Sequence, residues 1–309
     1  NTAGLFFVGR DPLAVEEHAR TIAQIAYFMG RPWPLEVALW DIAGKAAGIP
    51  LWKLLGGARD RILAYASTGE LHPGEQRVEE VLQMREMGFK AVKLRFHSPN
   101  PMDDVPTLEA VREAVGDSMT IMVDANHGWR LPGDTAPRWD RKTAIEMARI
   151  LEEFDVFWLE EPLWAYDYDG LAELRASTTV RIAGGELNLG LFEFQTYFDR
   201  GCFDVYQPDA TFVAGITGAK KIAGMAETHY AHIAPHLYTG PIEGAANIQI
   251  DACSPNFLIQ EGIEQWGGFH AEILTEPIRW EQGYIIPPEK PGLGVELNEE
   301  VAEKHPYIG

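Results

Sequence analysis

Positive charge is scarce in this chain of 309 residues: 26 Lys and Arg stand against 46 Asp and Glu, for a formal net charge of −20. Phosphate backbones are held by basic surfaces, so nucleic-acid binding is excluded as the expected activity. The acidic excess alone does not point to a cation site, because it also serves solubility. Cysteine is scarcer still. Cys202 and Cys253 are the only two, and neither lies in a CxxC or CxxxC pattern, which argues against a zinc knot or a redox pair. Two free thiols suit a reducing compartment, so a cytoplasmic protein is expected. No run approaches the roughly 18 apolar residues of a membrane span, and no membrane partner is expected. No signal peptide is visible, although the opening NTAGLFFVGRDPL starts abruptly, like a segment from within a domain, and so weakens that argument. Residues 62–262 contain no Ser/Gly/Pro-rich linker and no low-complexity segment.

What is present is a repeated unit. Phe157–Pro162 reads FWLEEP: an apolar run that enters two adjacent carboxylates. Such a run suits a strand buried on both faces of a parallel sheet, with the acids at its C-terminal end, where α/β barrels keep their chemistry. Similar strands are expected at 62–67, 91–96, 120–126, 181–186, 204–209, 232–238 and 257–262. Helical stretches are expected between them, at 78–88, 107–116, 141–154, 170–178, 191–201, 217–229 and 241–252. Eight strands in this rhythm specify βα units and one closed α/β barrel. Residues 11–55 read as packing helices, with Pro34 suited to a first turn and Gly48 to a C-terminal stop. The tail from 263, with its IIPPEKPGLG, reads as an irregular extension.

The last polar residue of each strand forms a pattern. Asp124, Glu160 and Glu186 end the third, fourth and fifth strands at spacings of 36 and 26 residues, so three carboxylates converge at one end of the barrel. Like charges that close repel unless a cation lies between them. Oxygen ligands with room for water and substrate suit Mg²⁺, and no His accompanies them at zinc spacing. Glu161, next to Glu160, is expected on the opposite side of its strand. On the second strand, Lys93 and Arg95 share a face. They read either as counter-charges for the acids, or as a Lys base whose pKa a cation lowers beside an Arg that holds a substrate carboxylate. Asp209 and His236 end the sixth and seventh strands, one unit apart, where the acid can orient the imidazole for acid/base work. Glu261 ends the eighth, either as a hydrogen-bond donor with a raised pKa or as a buried ion-pair partner. His97, Asn126, His127 and Tyr238 are candidate rim residues, with Asn126 and His97 expected to touch substrate.

These motifs carry a resemblance. KLR at Lys93–Arg95, VDAN, WLEEP, GGE, QPDATFVAGITG and APHLY, in this order and spacing, resemble the enolase superfamily and within it the mandelate racemase-like group. The resemblance implies a modified (β/α)₇β barrel of the TIM type with a partial α+β capping domain. Residues 1–58 would be the helical remnant of the cap, 59–262 the barrel, and 263–309 an extension packing on the cap. It also implies that Asp124, Glu160 and Glu186 hold Mg²⁺, that a substrate carboxylate is gripped there while its α-proton leaves to give an enediolate, and that the protein is a homo-oligomer. Arg95 departs from the group's KxK motif, in which the second Lys is the racemase base. One-sided chemistry through His236 is therefore expected, with dehydration of a sugar acid to a 2-keto-3-deoxy acid preferred. A racemase or epimerase, a cycloisomerase and a non-catalytic acid-binding barrel are the alternatives.

Overall fold

In the computed structural model, which describes residues 3–134, 137–263 and 266–305, the chain begins with three helices: α1 (Val15–Met29), α2 (Pro34–Ala47) and α3 (Leu51–Leu54). Pro34 opens α2, where its missing N–H costs nothing, and Gly48 closes it in the left-handed conformation. The alternation then runs β1 (Ile62–Ser67), α4 (Gly74–Glu86), β2 (Ala91–Arg95), α5 (Val105–Val115), β3 (Thr120–Asp124), α6 (Arg141–Glu153), β4 (Trp158–Glu160) and α7 (Tyr168–Ala176). It continues through β5 (Arg181–Gly184), α8 (Gly190–Arg200), β6 (Val205–Tyr206), α9 (Gly215–Thr228), β7 (His232–Ile233), α10 (Pro241–Cys253) and β8 (Gln260–Gly262). Neighbouring strands pair in parallel from β1 to β7, and β8 pairs with β1. A bridge from Ile233 to Phe257 and the bond from Leu258 N to Ile233 O (2.9 Å) join β7 to the run into β8. The sheet is therefore closed: a (β/α)₇β barrel with a helical cap. No helix among the described residues is long and apolar enough to cross a membrane.

Three strands are shorter than their apolar runs suggest, and each for the same reason. The segments EEP, QPD and APH place Pro162, Pro208 and Pro235 where the ladder needs an N–H, and proline has none. The tail corrects the expectation of an irregular extension. After α11 (Gly268–Glu272), strands β9 (Trp280–Glu281) and β10 (Tyr284–Ile285) form a hairpin, and β10 pairs antiparallel with the start of β1. Its two-residue turn, Gln282–Gly283, has positive φ at both positions, the conformation that suits the twist of a tight hairpin. Beyond it the chain returns along the cap: Leu51 N bonds Gly292 O at 2.8 Å, and Leu293 N bonds Asp41 Oδ1 at 2.9 Å. The last helix is α12 (Glu299–Lys304).

One buried acid locks cap to barrel. Glu36 of α2 is fully buried and accepts hydrogen bonds from Ile216 N (2.8 Å), Thr217 N (3.0 Å), Thr217 Oγ1 (2.5 Å) and Trp40 Nε1 (2.8 Å). A carboxylate at the positive end of α9 satisfies backbone N–H groups that the helix itself cannot. Burial raises its pKa, and the Thr217, Ile216 and Trp40 donors oppose that rise. Replacing Glu36 by Ala leaves those donors buried and unpaired. It is expected to lower stability by about 2–3 kcal/mol, read as a shifted urea midpoint at unchanged slope. A shift within experimental error would show that water replaces the carboxylate.

Candidate active site

The interior of the barrel has an apolar floor to which every strand contributes one side chain: Tyr65, Ala91, Met122, Trp158, Ala183, Val205, Ala234 and Ile259, packed as one cluster. Side chains on a strand return to the same face every second residue. Two residues beyond the floor, the strands therefore deliver Ser67, Lys93, Asp124, Glu160, Gln207, His236 and Glu261 to the interior. The fifth strand needs one more step. Gly185 has φ +110°, and a Cβ there would meet the Phe194 ring of α8 at 3.1 Å, so this residue turns outward and Glu186 comes in. Asn126, Arg95 and Asp209 stand one further alternation up.

Lys93 is the charge at the centre. Its Nζ lies 2.5 Å from Glu160 Oε1, 2.9 Å from Glu261 Oε1 and 3.7 Å from Asp124 Oδ2. Burial favours the neutral amine, but Glu160, Glu261, Tyr65 and Asp124 together hold its pKa well above that of an ordinary lysine. Of the two readings of Lys93, these contacts fit the counter-charge for the acids. Glu261 is its ion-pair partner, not a raised-pKa donor. Burial pushes Glu261 up, yet Lys93 and His236 outweigh that and leave it below the usual carboxylate range. Its other oxygen accepts from Leu237 N at 3.1 Å. Arg95 bonds Gly69 O through Nε (3.2 Å), and its Nη1 is 3.9 Å from Asp124 Oδ2.

The acid/base pair forms across β6 and β7. His236 Nδ1 lies 2.9 Å from Asp209 Oδ2, and Nε2 lies 3.5 Å from Glu186 Oε2. Because Asp209 can only accept, Nδ1 carries the hydrogen and Nε2 is left toward the cavity. Burial lowers the pKa of His236, but Glu186, the Asp209 bond and Glu261 raise it well above the ordinary value. His236, Lys93, Arg95, Asp124, Glu186, Glu261 and Asn126 line one cavity of about 430 Å³, with Trp129, Leu131, Phe212, Tyr238 and Ile263 on its other walls. Exposed Tyr238 is thus at the rim, as expected. His97 is beside this cavity, in a smaller adjoining pocket, with Nδ1 3.0 Å from Ala125 O and Nε2 3.3 Å from Asp134 Oδ2. His127 is not at the rim. It is buried against Trp139, and burial, then His97 and Arg130, lower its pKa to about 4.

Glu161 also departs from expectation. Its φ of 43° ends the strand alternation, so the side chain does not point away from Glu160. It is buried, and burial, then Glu186, Asp124 and Glu160, raise its pKa strongly. Gly128 makes room for it: a Cβ there would lie 2.2 Å from Glu161 Oε1. Three further contacts were not read from the sequence. Gln207 Nε2 donates to Glu160 Oε2 (2.8 Å), Trp129 Nε1 donates to Glu186 Oε1 (2.7 Å), and Glu243 lies behind Asp209. Gln207 had a signal, since it sits one alternation before Asp209. Trp129, on a loop, and Glu243, on a helix, had none.

Asp124, Glu160 and Glu186 fit a hard divalent cation. All three are buried. Burial first pushes Glu160 up to about 8, with Asp124, Glu261 and Glu186 adding to it against the pull of Lys93. Burial likewise raises Glu186. Such an oxygen-only set carries more negative charge than its surroundings balance, which suits Mg²⁺. A tighter cluster among the described residues is Asp209, His236 and Glu243, with donor atoms within 4.8 Å. Its atoms are already committed to one another, so it is the weaker candidate for a metal.

Comparison with known proteins places this geometry. Residues 4–56 match the N-terminal domain of mandelate racemase/muconate lactonizing enzymes, and residues 76–301 match the enolase C-terminal domain-like family. The chain is 36% identical over 269 residues to an L-talarate/galactarate dehydratase of Salmonella typhimurium, covering 86% of this chain and 63% of that protein. It is 30% identical over 318 residues to a D-gluconate dehydratase of Thermoproteus tenax, covering 97% of this chain and 62% of that protein. The chain thus spans less than two thirds of the length of these two relatives. The structure of L-talarate dehydratase from Polaromonas sp. JS666, complexed with Mg and L-glucarate, superposes with a TM-score of 0.86 at 31% identity, covering 98% of this chain and 82% of that one.

The ion-pair cluster yields a stability prediction. Lys93→Met removes the cation shared by Glu160 and Glu261, and is expected to cost about 3–5 kcal/mol in urea unfolding. Unchanged stability would mean that the two acids simply take up protons.

Proposed function

The chain belongs to the mandelate racemase/muconate lactonizing enzyme family, and from that premise we propose that it dehydrates a sugar acid to a 2-keto-3-deoxy acid. The observation that carries this is the asymmetry of the cavity. One wall holds the His236–Asp209 pair at 2.9 Å; the other holds Lys93, ion-paired to Glu261, and Arg95, beside Asp124. Two-sided exchange at the α-carbon needs a base on each wall. Arg95 stands where a second base would be needed, and a guanidinium does not give up its proton; Lys93 is ion-paired to Glu160 and Glu261. The dehydratase names of the two relatives and of the Polaromonas structure support the same chemistry.

Asp124, Glu160 and Glu186 would hold Mg²⁺. Bound there, it supplies a Lewis acid that polarises the substrate carboxylate. Around it, the chain's own groups do the rest. Arg95 and Lys93 orient the carboxylate and balance charge as it develops. His236 Nε2 takes the α-proton, and Asp209 steadies the imidazolium that results. The electron pair of the broken C–H bond forms a Cα–Cβ double bond while the β-hydroxyl leaves, protonated by the same His236. Water departs, and the enol tautomerises to the 2-keto-3-deoxy acid, so atoms balance without an oxidant. Asn126 at the rim is placed to read a substrate hydroxyl.

The test is a panel of acid-sugar diastereomers with Mg²⁺ in deuterated buffer, followed by proton NMR. One or two compounds are expected to yield a keto product. α-Deuteration without net product would replace dehydration by racemase or epimerase chemistry with Lys93 as second base, and a lactone product would select a cycloisomerase. In the same assay His236→Asn is expected to lower turnover by roughly 10²–10⁴-fold while calorimetry shows Mg²⁺ still bound. Retained turnover would remove His236 from the mechanism. Chelation is expected to abolish activity and Mg²⁺ to restore it; activity in chelator would exclude the metal role.

A further inference from the structure

Behind the His236–Asp209 pair stands another buried carboxyl, Glu243, in the first turn of α10. Its Oε2 accepts from Thr239 N at 2.8 Å and from the Thr239 hydroxyl. One of its oxygens lies within 4.8 Å of an Asp209 oxygen and a His236 ring nitrogen. Asp209 meanwhile accepts from His236 Nδ1 (2.9 Å) and from both the amide N and the hydroxyl of Thr211 (2.7 Å each). The hydroxyl of Thr211 has one hydrogen, and it is used on Asp209. The longer contact from that hydroxyl to Glu243 Oε1, 3.4 Å, therefore brings Glu243 no donor of its own. Two ionised carboxylates sharing this enclosed space repel, and a hydrogen bond between two carboxyl groups requires a proton on one of them. The surroundings assign that proton. Asp209 is supplied with donors on both oxygens and sits below the usual carboxylate range, although burial opposes this. Burial, then the neighbouring Asp209, raise Glu243 to about 9.

One turn further along α10, Asn247 Nδ2 donates to His236 O at 2.7 Å, and Asn247 Oδ1 accepts from Ala210 N at 3.4 Å. Residues i and i+4 share a helix face. The same face of α10 therefore faces the side chain of Asp209 and grips the backbone around both members of the pair.

We propose that Glu243 is a positioning residue of the acid/base site: as a neutral acid it donates its O–H to Asp209, fixing that carboxylate against His236 Nδ1 and leaving Nε2 toward the substrate. The role rests on the dehydration reading of His236. It is also distinct from helix capping, which the Thr239 contact would explain by itself.

Three variants separate these. Glu243→Ala is expected to lower kcat by about 10–100-fold, the usual size for a supporting contact, with little change in KM. Glu243→Gln recovers most of that loss, because an amide N–H donates to Asp209 as the acid did while the amide oxygen still accepts from Thr239. Thr239→Val weakens the cap alone, and should lower the melting temperature without moving kcat. Infrared difference spectroscopy of wild type against Glu243→Gln should show the loss of one deuterium-sensitive C=O band of a protonated carboxylic acid, whether or not any substrate is turned over. Absence of that band would overturn the assignment of the proton. Equal kcat losses in Glu243→Ala and Thr239→Val, or no recovery in Glu243→Gln, would reduce Glu243 to a cap. If wild type turns over none of the acids, the dehydration reading falls while the infrared band still decides the state of Glu243.

Discussion

A parallel strand returns its side chains to the barrel interior at every second residue, and the site depends on that constraint. The floor fixes the phase. Once Tyr65, Ala91, Met122, Trp158, Val205, Ala234 and Ile259 are committed to the apolar interior, the residues two positions on have to face inward as well. On seven of the eight strands these are groups that can donate, accept or carry charge. The eighth reaches the same ring through the outward turn at Gly185. Core packing and site geometry are therefore set together. A one-residue slip in a strand would send its polar or charged group away from the cavity.

Such a ring is electrostatically expensive, and the structure shows how the cost is divided. Asp124, Glu160, Glu161, Glu186, Glu261 and Asp209 are all buried around it. Lys93 stabilises Glu160 and Glu261 directly. His236 lies between Glu186 and Asp209. What remains is a group of buried acids on the β3–β5 side, Glu160, Glu161 and Glu186, whose pKa values are raised first by burial and then by one another and Asp124. A strained charge balance of this kind is typical of functional sites rather than of stability. The packing that holds it in place comes from elsewhere, including the Glu36 latch from the cap and the hairpin that extends β1.

The barrel and its ring were legible in the sequence because both follow from period and spacing. Buried strands read as apolar runs, and their C-terminal polar residues read as the site. Lys93 and Arg95 on one face, and Asp209 against His236, follow from alternation and unit length. The failures have equally specific causes. Glu161 was placed by alternation past the point where its own φ of 43° breaks it. Lys93 and Glu261 each kept two readings in the sequence, because nothing in it shows that they face each other at 2.9 Å. The β9–β10 hairpin turns on Gln-Gly, a weaker signal than Asn-Gly. Trp129 and Glu243 reach the site from a loop and a helix, where no strand period marks them.

The two halves of the ring differ in what their protons can do, and this bears on the reaction. On β2, Lys93 is ion-paired to Glu160 and Glu261, and Arg95 lies beside Asp124. Past the ends of β6 and β7, Asp209 is bonded to His236 Nδ1, with Glu243 of α10 behind it. On the proposed reading, a substrate carboxylate seated between them would meet Lys93 and Arg95 on one side and His236 on the other. Removing an α-proton and expelling a β-hydroxyl on the same side uses that asymmetry fully. Inverting a stereocentre would require a second base on the β2 side, where Arg95 offers none. On the proposed reading, it is this difference between the two walls, rather than the barrel, that would favour elimination over inversion.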